Sequence, residues 1–404
     1  MGRKVRTIMK VYADNAATTK MSRAAREAML PYLGEVYGNP SSLHSMGQQA
    51  KEVLEDARVR MAKLLGCDSG EIIFTSGGSE ADNQAIVSAA RLGARKGKKH
   101  IISTTIEHHA VLHTLDKLKK EGYEITLLDV DEKGFVTAEQ VKNAIKPETC
   151  LVSVMYANNE IGTILPIAEI GAVCKDAGVL FHTDAVQAVG HLQIDVKKEN
   201  IDMLSLSAHK FHGPKGVGAL YVRKGIVLSN IIEGGAQERG KRAGTENIPA
   251  IMGMVAALEE AMSNMERNTE RLRQLQSRLI YGLSEISHSI LNGDMEKRLP
   301  GNVHFCFEGI EGESLLLLLD DKGVYASSGS ACTSGSLDPS HVLLAIGRPH
   351  EIAHGSLRLS LSAENSEEEV DYMIGAVKEV VSYLRGISPV WRDLVDGKSE
   401  FVIK

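Results

Sequence analysis

Short apolar runs alternate with amphipathic stretches between residues 70 and 225. The apolar runs predict strands at 71–75, 100–104, 124–128, 151–155, 179–183, 203–206 and 218–222. Helical periodicity between them predicts helices at 79–95, 111–121, 137–145 and 167–177. This alternation predicts an α/β fold with a mostly parallel central sheet flanked by helices. In such sheets ligands bind at the carboxyl ends of the strands.

The pattern changes beyond residue 248. A long charged helical stretch, 248–287, connects to short strands at 301–305 and 356–361 and to helices at 313–319 and 366–384. These elements predict a smaller α+β domain. A chain of 404 residues is also too long for one ordinary hydrophobic core, which favours two domains that share an interface.

Composition narrows the class of protein. The chain is 43% hydrophobic and 24% charged with a net charge of −6, which argues against a nucleic-acid or membrane surface. The first ten residues are basic but lack the apolar segment of a secretory signal.

Five cysteines without a Cys-x-x-Cys pair indicate a reducing cytoplasm and no structural zinc. His109 and His113 have the spacing of a helical metal pair, but no third ligand accompanies them.

Two strand ends carry residues suited to a phosphorylated ring cofactor. Residues 75–80, TSGGSE, place a glycine-rich turn at a helix N-terminus, where free N–H groups favour phosphate. The simpler alternative is that Ser79 caps this helix. Asp184 ends another strand, and a carboxylate there can keep a pyridine nitrogen protonated. Its alternative role is also helix capping.

Two lysines follow the next strand, in residues 205–216, SLSAHKFHGPKG. Lys210 lies among hydroxyl and imidazole groups, whereas Lys215 is in a Gly-Pro-Lys-Gly turn that suggests solvation. A partly desolvated lysine has a lowered pKa and forms Schiff bases with aldehydes. Together the three segments indicate a phosphate seat, a partner for a ring nitrogen and a Schiff-base lysine.

Cys332 differs from the other four cysteines. It lies in residues 327–336, SSGSACTSGS, a segment with no large apolar residue to anchor it. The others are in apolar or helical contexts typical of a core. An accessible thiol is available for chemistry, although a Gly/Ser segment by itself is more often a plain connection.

These segments, with four others, closely resemble the pyridoxal-phosphate-dependent cysteine desulfurases of the NifS/IscS class from about residue 10 to 385. The other four are residues 12–19, YADNAATT; 37–42, YGNPSS; 158–162, NNEIG; and 242–247, RAGTEN. The resemblance implies a homodimer with the fold-type-I architecture. A large cofactor domain would span 20–265, and a small domain would combine 1–19 with 266–404 and carry the cysteine loop at about 325–337.

The resemblance also implies a role for each matched residue. Lys210 would bind pyridoxal 5′-phosphate as a Schiff base and act as a base, His108 would stack on the ring, and Cys332 would be the nucleophile. Arg358 would hold the substrate carboxylate, with Asn39 nearby. The implied cofactor-binding residues are Gly78, Ser79, His108, Asn159, Asp184, Gln187, Ser207, His209, Lys210 and Thr245 of the partner subunit.

The expected function is removal of sulfur from L-cysteine, giving L-alanine and a persulfide on Cys332. An iron–sulfur scaffold or another acceptor protein would receive the sulfur, with no direct role for nucleic acid, membrane or a resident metal. Cys332 would be available to ligate transiently a cluster being assembled. The alternatives are an aminotransferase or selenocysteine lyase of the same fold, or a non-catalytic sulfur-relay scaffold. Acceptor identity, whether for nitrogenase, housekeeping clusters or tRNA thiolation, stays open.

Overall fold

The computed structural model describes residues 9–329 and 339–403, so Cys332 lies outside the described residues. The strands are β1 Val11–Tyr12, β2 Ile72–Thr75, β3 His100–Thr104, β4 Glu124–Leu128, β5 Thr149–Ser153, β6 Leu180–Asp184, β7 Met203–Ser207, β8 Gly218–Val222, β9 Ser289–Leu291, β10 Asn302–Phe307, β11 Val324–Tyr325 and β12 Ser356–Ser360. The helices are α1 Arg23–Met29, α2 Pro31–Gly34, α3 Ser45–Leu65, α4 Gly78–Ala94, α5 His109–Lys120, α6 Ala138–Ala144, α7 Ile167–Ala177, α8 Gln237–Gly240, α9 Ile248–Ser263, α10 Met265–Ser284, α11 Gly312–Asp321, α12 His341–Ala345, α13 His350–Ala353, α14 Glu367–Ile387 and α15 Pro389–Val395.

Seven strands form the main sheet in the order β2-β8-β7-β6-β5-β3-β4. All neighbours are parallel except β8, which runs antiparallel to both β2 and β7. The predicted mostly parallel sheet is therefore confirmed. Successive residues enter opposite layers: Ile101 joins the apolar cluster beneath α4 and α5, and Ile102 joins the cluster that contains residues of α3, α7 and α9. Burial on both faces explains why the strands are continuous apolar runs.

The predicted helix at 248–287 is two helices, which is a correction. The chain breaks at Asn264, the C-cap of α9 and N-cap of α10, where φ is −106° and ψ is 3°. The Asn264 side chain donates to the carbonyl of Glu260 at 2.8 Å and closes the end of α9. A short amide competes for backbone partners in this way, so it favours helix ends over helix interiors.

A second core lies under the antiparallel sheet β12-β10-β9. Its apolar cluster combines side chains between residues 272 and 384 with Val11 and Ala13 from the start of the chain. The link is the pairing of β1 with β11, which joins Val11 to Val324. After α15 the chain folds back toward residue 288, where the Phe401 ring stacks on the His288 ring with the two ring centroids 3.7 Å apart. The exact domain limits stay a prediction.

Candidate active site

Strands β2, β6 and β7 bring their carboxyl ends to one edge of the sheet. Thr75 of β2 and Ser207 of β7 both pair with Gly218 of β8, so β2 and β7 run parallel to each other and end level on either side of β8. On the other side of β7, Asp184 of β6 pairs with Ser205. The three motifs singled out in the sequence therefore meet at the edge where α/β sheets bind ligands.

The predicted phosphate seat is the start of α4. Gly77 is its N-cap, with φ at +156° and no side-chain cap, so the alternative in which Ser79 caps the helix is wrong. Only glycine adopts this backbone region readily. A Cβ on Gly77 would lie 3.6 Å from Oγ of Ser207, which shows how closely β7 approaches the turn. The helix thus begins with N–H groups that no side chain caps, beside a serine hydroxyl.

Lys210 lies at the end of a short 3-10 helix, Ala208–Lys210, directly after β7. Its Nζ donates to the carbonyls of Ala16 and Ala17 at 2.7 and 2.8 Å. Gln187 Nε2 donates to the same carbonyl of Ala16 at 3.0 Å. The first residues of the chain therefore position both side chains, a role for Ala16 and Ala17 carbonyls that the sequence pattern did not reveal.

His209 precedes the lysine and is neutral at physiological pH. Burial lowers its pKa to about 4, and the nearby charges of Lys210 and Lys215 act in the same direction. Its Nδ1 lies 3.1 Å from Oγ1 of Thr18. A neutral imidazole has one N–H, so His209 can donate a hydrogen bond to an anion without adding a charge.

Asp184 is buried, and its Oδ1 accepts from the N–H of Val186 at 2.9 Å. The helix-capping alternative for Asp184 is wrong, because a turn and not a helix follows β6. The bond from Val186 leaves the other carboxylate oxygen for a second partner. Burial raises the Asp184 pKa, while the charges of His108 and Lys210 lower it. His108 is the N-cap of α5, where its Nδ1 accepts from Ala110 at 3.1 Å.

Two further carboxyl groups lie buried behind Asp184 and were not predicted. Burial raises the pKa of Asp82 well above its usual value, and it raises the pKa of Glu107 to about 8. Glu107 Oε1 accepts from Thr104 and from the N–H of Met155 at 2.8 and 2.9 Å. Because several buried like charges repel, protonation of Glu107 favours an ionised Asp184.

Arg358 lies on β12, and its guanidinium is almost fully buried. Nη1 donates to the carbonyl of Asn159 at 3.1 Å, and Nη2 donates to Oδ1 of Asp14 at 2.9 Å. Nε has no hydrogen-bond partner among the described residues. The backbone of Arg358 pairs with Ser327 through two hydrogen bonds, at 2.7 and 3.3 Å. Arg358 therefore connects the small sheet, residue 159 and the chain leading to Cys332.

Two predicted residues are not joined to this group. Asn39 is in an exposed turn, where its Oδ1 accepts from the N–H of Ser41 at 2.9 Å, and it forms no hydrogen bond with Arg358. Thr245 is exposed on the loop before α9. Cys332 lies outside the described residues, so its position relative to Lys210 stays a prediction.

The described residues fit pyridoxal phosphate. An uncapped helix start suits its phosphate, a buried carboxylate suits its protonated ring nitrogen, and an amine suits its aldehyde. The aminotransferase class-V family model matches residues 11–373 of the chain. Fold and site together define a pyridoxal-phosphate-dependent enzyme of fold type I.

Similar proteins narrow the class. The chain is 56% identical over 393 residues to cysteine desulfurase IscS of Clostridium botulinum, covering 96% of this chain and 99% of the relative. It is 48% identical over 383 residues to cysteine desulfurase NifS of Azotobacter vinelandii, covering 94% and 95%. A solved structure described as a NifS-like protein superposes with a TM-score of 0.88 at 39% identity, covering 93% of this chain and 100% of that chain. The chain belongs to the NifS/IscS-class cysteine desulfurases of the class-V aminotransferase family.

Among residues 9–329 and 339–403, no helix has the length and apolar character needed to cross a membrane.

Proposed function

We propose that this chain is a cysteine desulfurase that converts L-cysteine to L-alanine and leaves the sulfur as a persulfide on Cys332. The Cβ–S bond of cysteine breaks, a bond forms between that sulfur and Sγ of Cys332, and Cβ gains a proton. No external oxidant or reductant is consumed. The observation that carries the proposal is the pair of contacts made by Arg358 on strand β12. Its side chain bonds to Asp14, two residues before the Ala16 carbonyl that accepts from Lys210. The backbone of Arg358 pairs with Ser327, five residues before Cys332.

The residues at the sheet edge have separate tasks in this proposal. Bound pyridoxal phosphate supplies an electron sink that weakens the bonds at the substrate Cα. The Nζ of Lys210 anchors the cofactor and then moves the Cα proton. Ionised Asp184 would keep the ring nitrogen protonated, and Gln187 would donate toward the ring oxygen. The cofactor phosphate would occupy the start of α4, where Gly78, Ser79, Ser207 and His209 supply its donors.

Arg358 is the proposed site for the substrate carboxylate. A buried donor without an acceptor costs about 1–3 kcal/mol, and Nε of Arg358 is such a donor among the described residues. A carboxylate would satisfy it and could bind the guanidinium bidentately, which sets orientation as well as charge. We include Asn39 as a secondary contact only.

We further propose a homodimer in the cytoplasm that passes sulfur to an iron–sulfur scaffold or another acceptor. Large apolar side chains are exposed around α1 and α2, including Leu33 and Leu43 at 63% and 94%, which supports a covered surface there. In a homodimer, Thr245 of the partner subunit would reach the phosphate. The described cysteines, Cys67, Cys150, Cys174 and Cys306, are free thiols, which supports a reducing compartment.

The test uses purified holoenzyme with L-cysteine and measures alanine, sulfide and the mass of the Cys332 peptide. Cys332→Ser should retain the cofactor absorbance but lose sulfide release, whereas Cys67→Ser should behave as wild type. Sulfide release that survives Cys332→Ser would contradict the nucleophile and favour another fold-type-I enzyme.

Lys210→Ala should lose the cofactor absorbance of the lysine-bound state, whereas Lys215→Ala should keep it. Wild-type protein that shows no such absorbance after incubation with pyridoxal phosphate would favour the non-catalytic scaffold. Thr245→Ala should weaken cofactor binding only if the protein is a dimer, which sedimentation would measure in parallel.

A further inference from the structure

Glu160 lies in the turn after β5, next to Asn159, and its side chain is buried. Its own backbone is held from two directions. Its N–H donates to Oδ1 of Asn158 at 2.9 Å, and its carbonyl accepts from Nδ2 of Asn302 at 3.2 Å. The carboxylate therefore projects from a backbone with little freedom to move.

The Glu160 carboxylate contacts one end of the segment that contains Cys332. Oγ of Ser340 donates to Oε2 of Glu160. The same oxygen of Ser340 accepts from the N–H of Val342 at 3.1 Å, so it is also the N-cap of α12. A serine hydroxyl has one proton and two lone pairs, and here its proton is given to Glu160. Val342 and Leu343 are buried, which fixes this end to the core.

The other end of the segment packs against the same carboxylate oxygen. Gly329 is buried, and a Cβ at this position would lie 2.5 Å from Oε2 of Glu160 and 3.1 Å from Cβ of Ser340. The first distance is shorter than real Cβ contacts allow, so a Cβ at residue 329 would displace the Glu160 carboxylate. Glu160 Oε2 thus lies between residues 329 and 340, which are on opposite sides of the segment in the sequence.

Glu160 is also joined to the proposed substrate site. Arg358 Nη1 donates to the carbonyl of Asn159, the preceding residue, at 3.1 Å. Burial raises the Glu160 pKa, while its bond from Ser340 and the charges of His341, Arg358 and His108 oppose that shift. Glu160 is thus adjacent in sequence to a residue that contacts the substrate arginine, and its carboxylate is bonded to Ser340 at the end of the cysteine segment.

We propose that Glu160 is a positioning residue that anchors both ends of the Cys332 segment beside the substrate-binding arginine. The inference rests on the proposed function, because it concerns delivery of Cys332 to the substrate sulfur. Loss of the anchor should slow sulfur transfer more than it weakens substrate binding, since small misplacements of a reacting group cost about 10²-fold in rate.

The test compares Glu160→Ala, Glu160→Gln and Ser340→Ala holoenzymes, with exposed Glu266→Ala as the matched control. In single-turnover experiments, Glu160→Ala and Ser340→Ala should form the Cys332 persulfide about 10- to 100-fold more slowly. The cofactor absorbance change on mixing with L-cysteine should be retained, and KM should change less than kcat. Glu160→Gln keeps an acceptor oxygen and should recover most of the rate.

Amide hydrogen exchange gives a readout that does not depend on activity. Exchange at the N–H groups of Val342 and Leu343 should accelerate about tenfold or more in Glu160→Ala and Ser340→Ala, with no change in β8. Gly329→Ala should have the same effect, whereas Gly375→Ala should not, because a Cβ there would meet no atom within 4 Å.

Two different failures are distinguishable. If wild-type protein forms no persulfide, the proposed function fails, and the exchange measurement still tests the anchor. If wild type is active but Glu160→Ala and Ser340→Ala match it within twofold in both persulfide formation and exchange, the anchor is refuted. If either Glu160→Ala or Ser340→Ala does not fold, the same measurements on the remaining variant decide whether the anchor is refuted.

Discussion

Asp14 and the substrate carboxylate would share one guanidinium. Oδ1 of Asp14 lies 2.9 Å from Nη2 of Arg358, and the two side chains are 19% and 2% exposed. If Arg358 binds the substrate as proposed, two anions flank the same cation and each weakens binding of the other. We predict that Asp14→Asn binds amino-acid carboxylates more tightly. Asparagine keeps an oxygen for Nη2 and removes the charge.

The size of the effect follows from Coulomb's law. Two carboxylates on one guanidinium are separated by roughly 5 Å, where unit charges repel by about 1 kcal/mol in water and about 3 kcal/mol at an effective dielectric constant of 20. Asp14 is mostly buried, so screening by water is incomplete. The dissociation constant of a carboxylate ligand should therefore fall by about 5- to 150-fold.

The assay is titration of the holoenzyme with L-alanine, followed by cofactor absorbance. Alaninol has the same amine but no carboxylate, so its affinity should change little between Asp14→Asn and wild type. Asp116→Asn, an exposed position on α5, controls for a general change in charge. An L-alanine affinity that is unchanged or weaker in Asp14→Asn would refute the idea that Asp14 competes for Arg358.

Three further predictions concern the stability and packing of the folded chain. Burial raises the Glu107 pKa from the ordinary value of 4.5 to about 8, so the stability contributed by the protonated carboxyl is fully present below pH 4.5 and is lost as pH rises from there through 8. The melting temperature of Glu107→Gln should therefore rise relative to that of wild type as pH increases from 5 to 9. A difference between the two melting temperatures that stays constant with pH would contradict this. Glu238 accepts from Arg58 at 2.7 and 2.9 Å with both side chains 2% exposed, so Glu238→Ala should lower the free energy of unfolding by about 3–5 kcal/mol. In denaturant titrations, the Arg58→Met, Glu238→Leu double variant should recover most of that loss, and a double variant as unstable as the single one would contradict the buried-charge explanation. Phe401 lies 5.4 Å from Trp391, the only tryptophan, so Phe401→Ala should shift its fluorescence to the red, and an unshifted spectrum would show that the two rings do not pack.

The local patterns were sufficient for the main sheet and for helices α4 to α7, which connect its strands. Strands 100–104 and 218–222 are in the predicted places because burial on both faces requires continuous apolar runs. The break at Asn264 was missed because the charged helical pattern continues across it and the capping contact to Glu260 depends on one side chain. The helices α1 to α3, α8, α12, α13 and α15 were also not predicted.

The candidate site also has some features that the sequence predicted and others that it did not. The sequence by itself determined the residue types at the strand ends, Asp184 and Lys210, because a strand and the turn that follows it are adjacent in the chain. Only the tertiary structure decided which distant groups meet them. The carbonyl of Ala16 receives Lys210 from 194 residues away, and Glu160 receives Ser340 from 180 residues away. Such contacts depend on how separate elements pack, and no local periodicity records that packing.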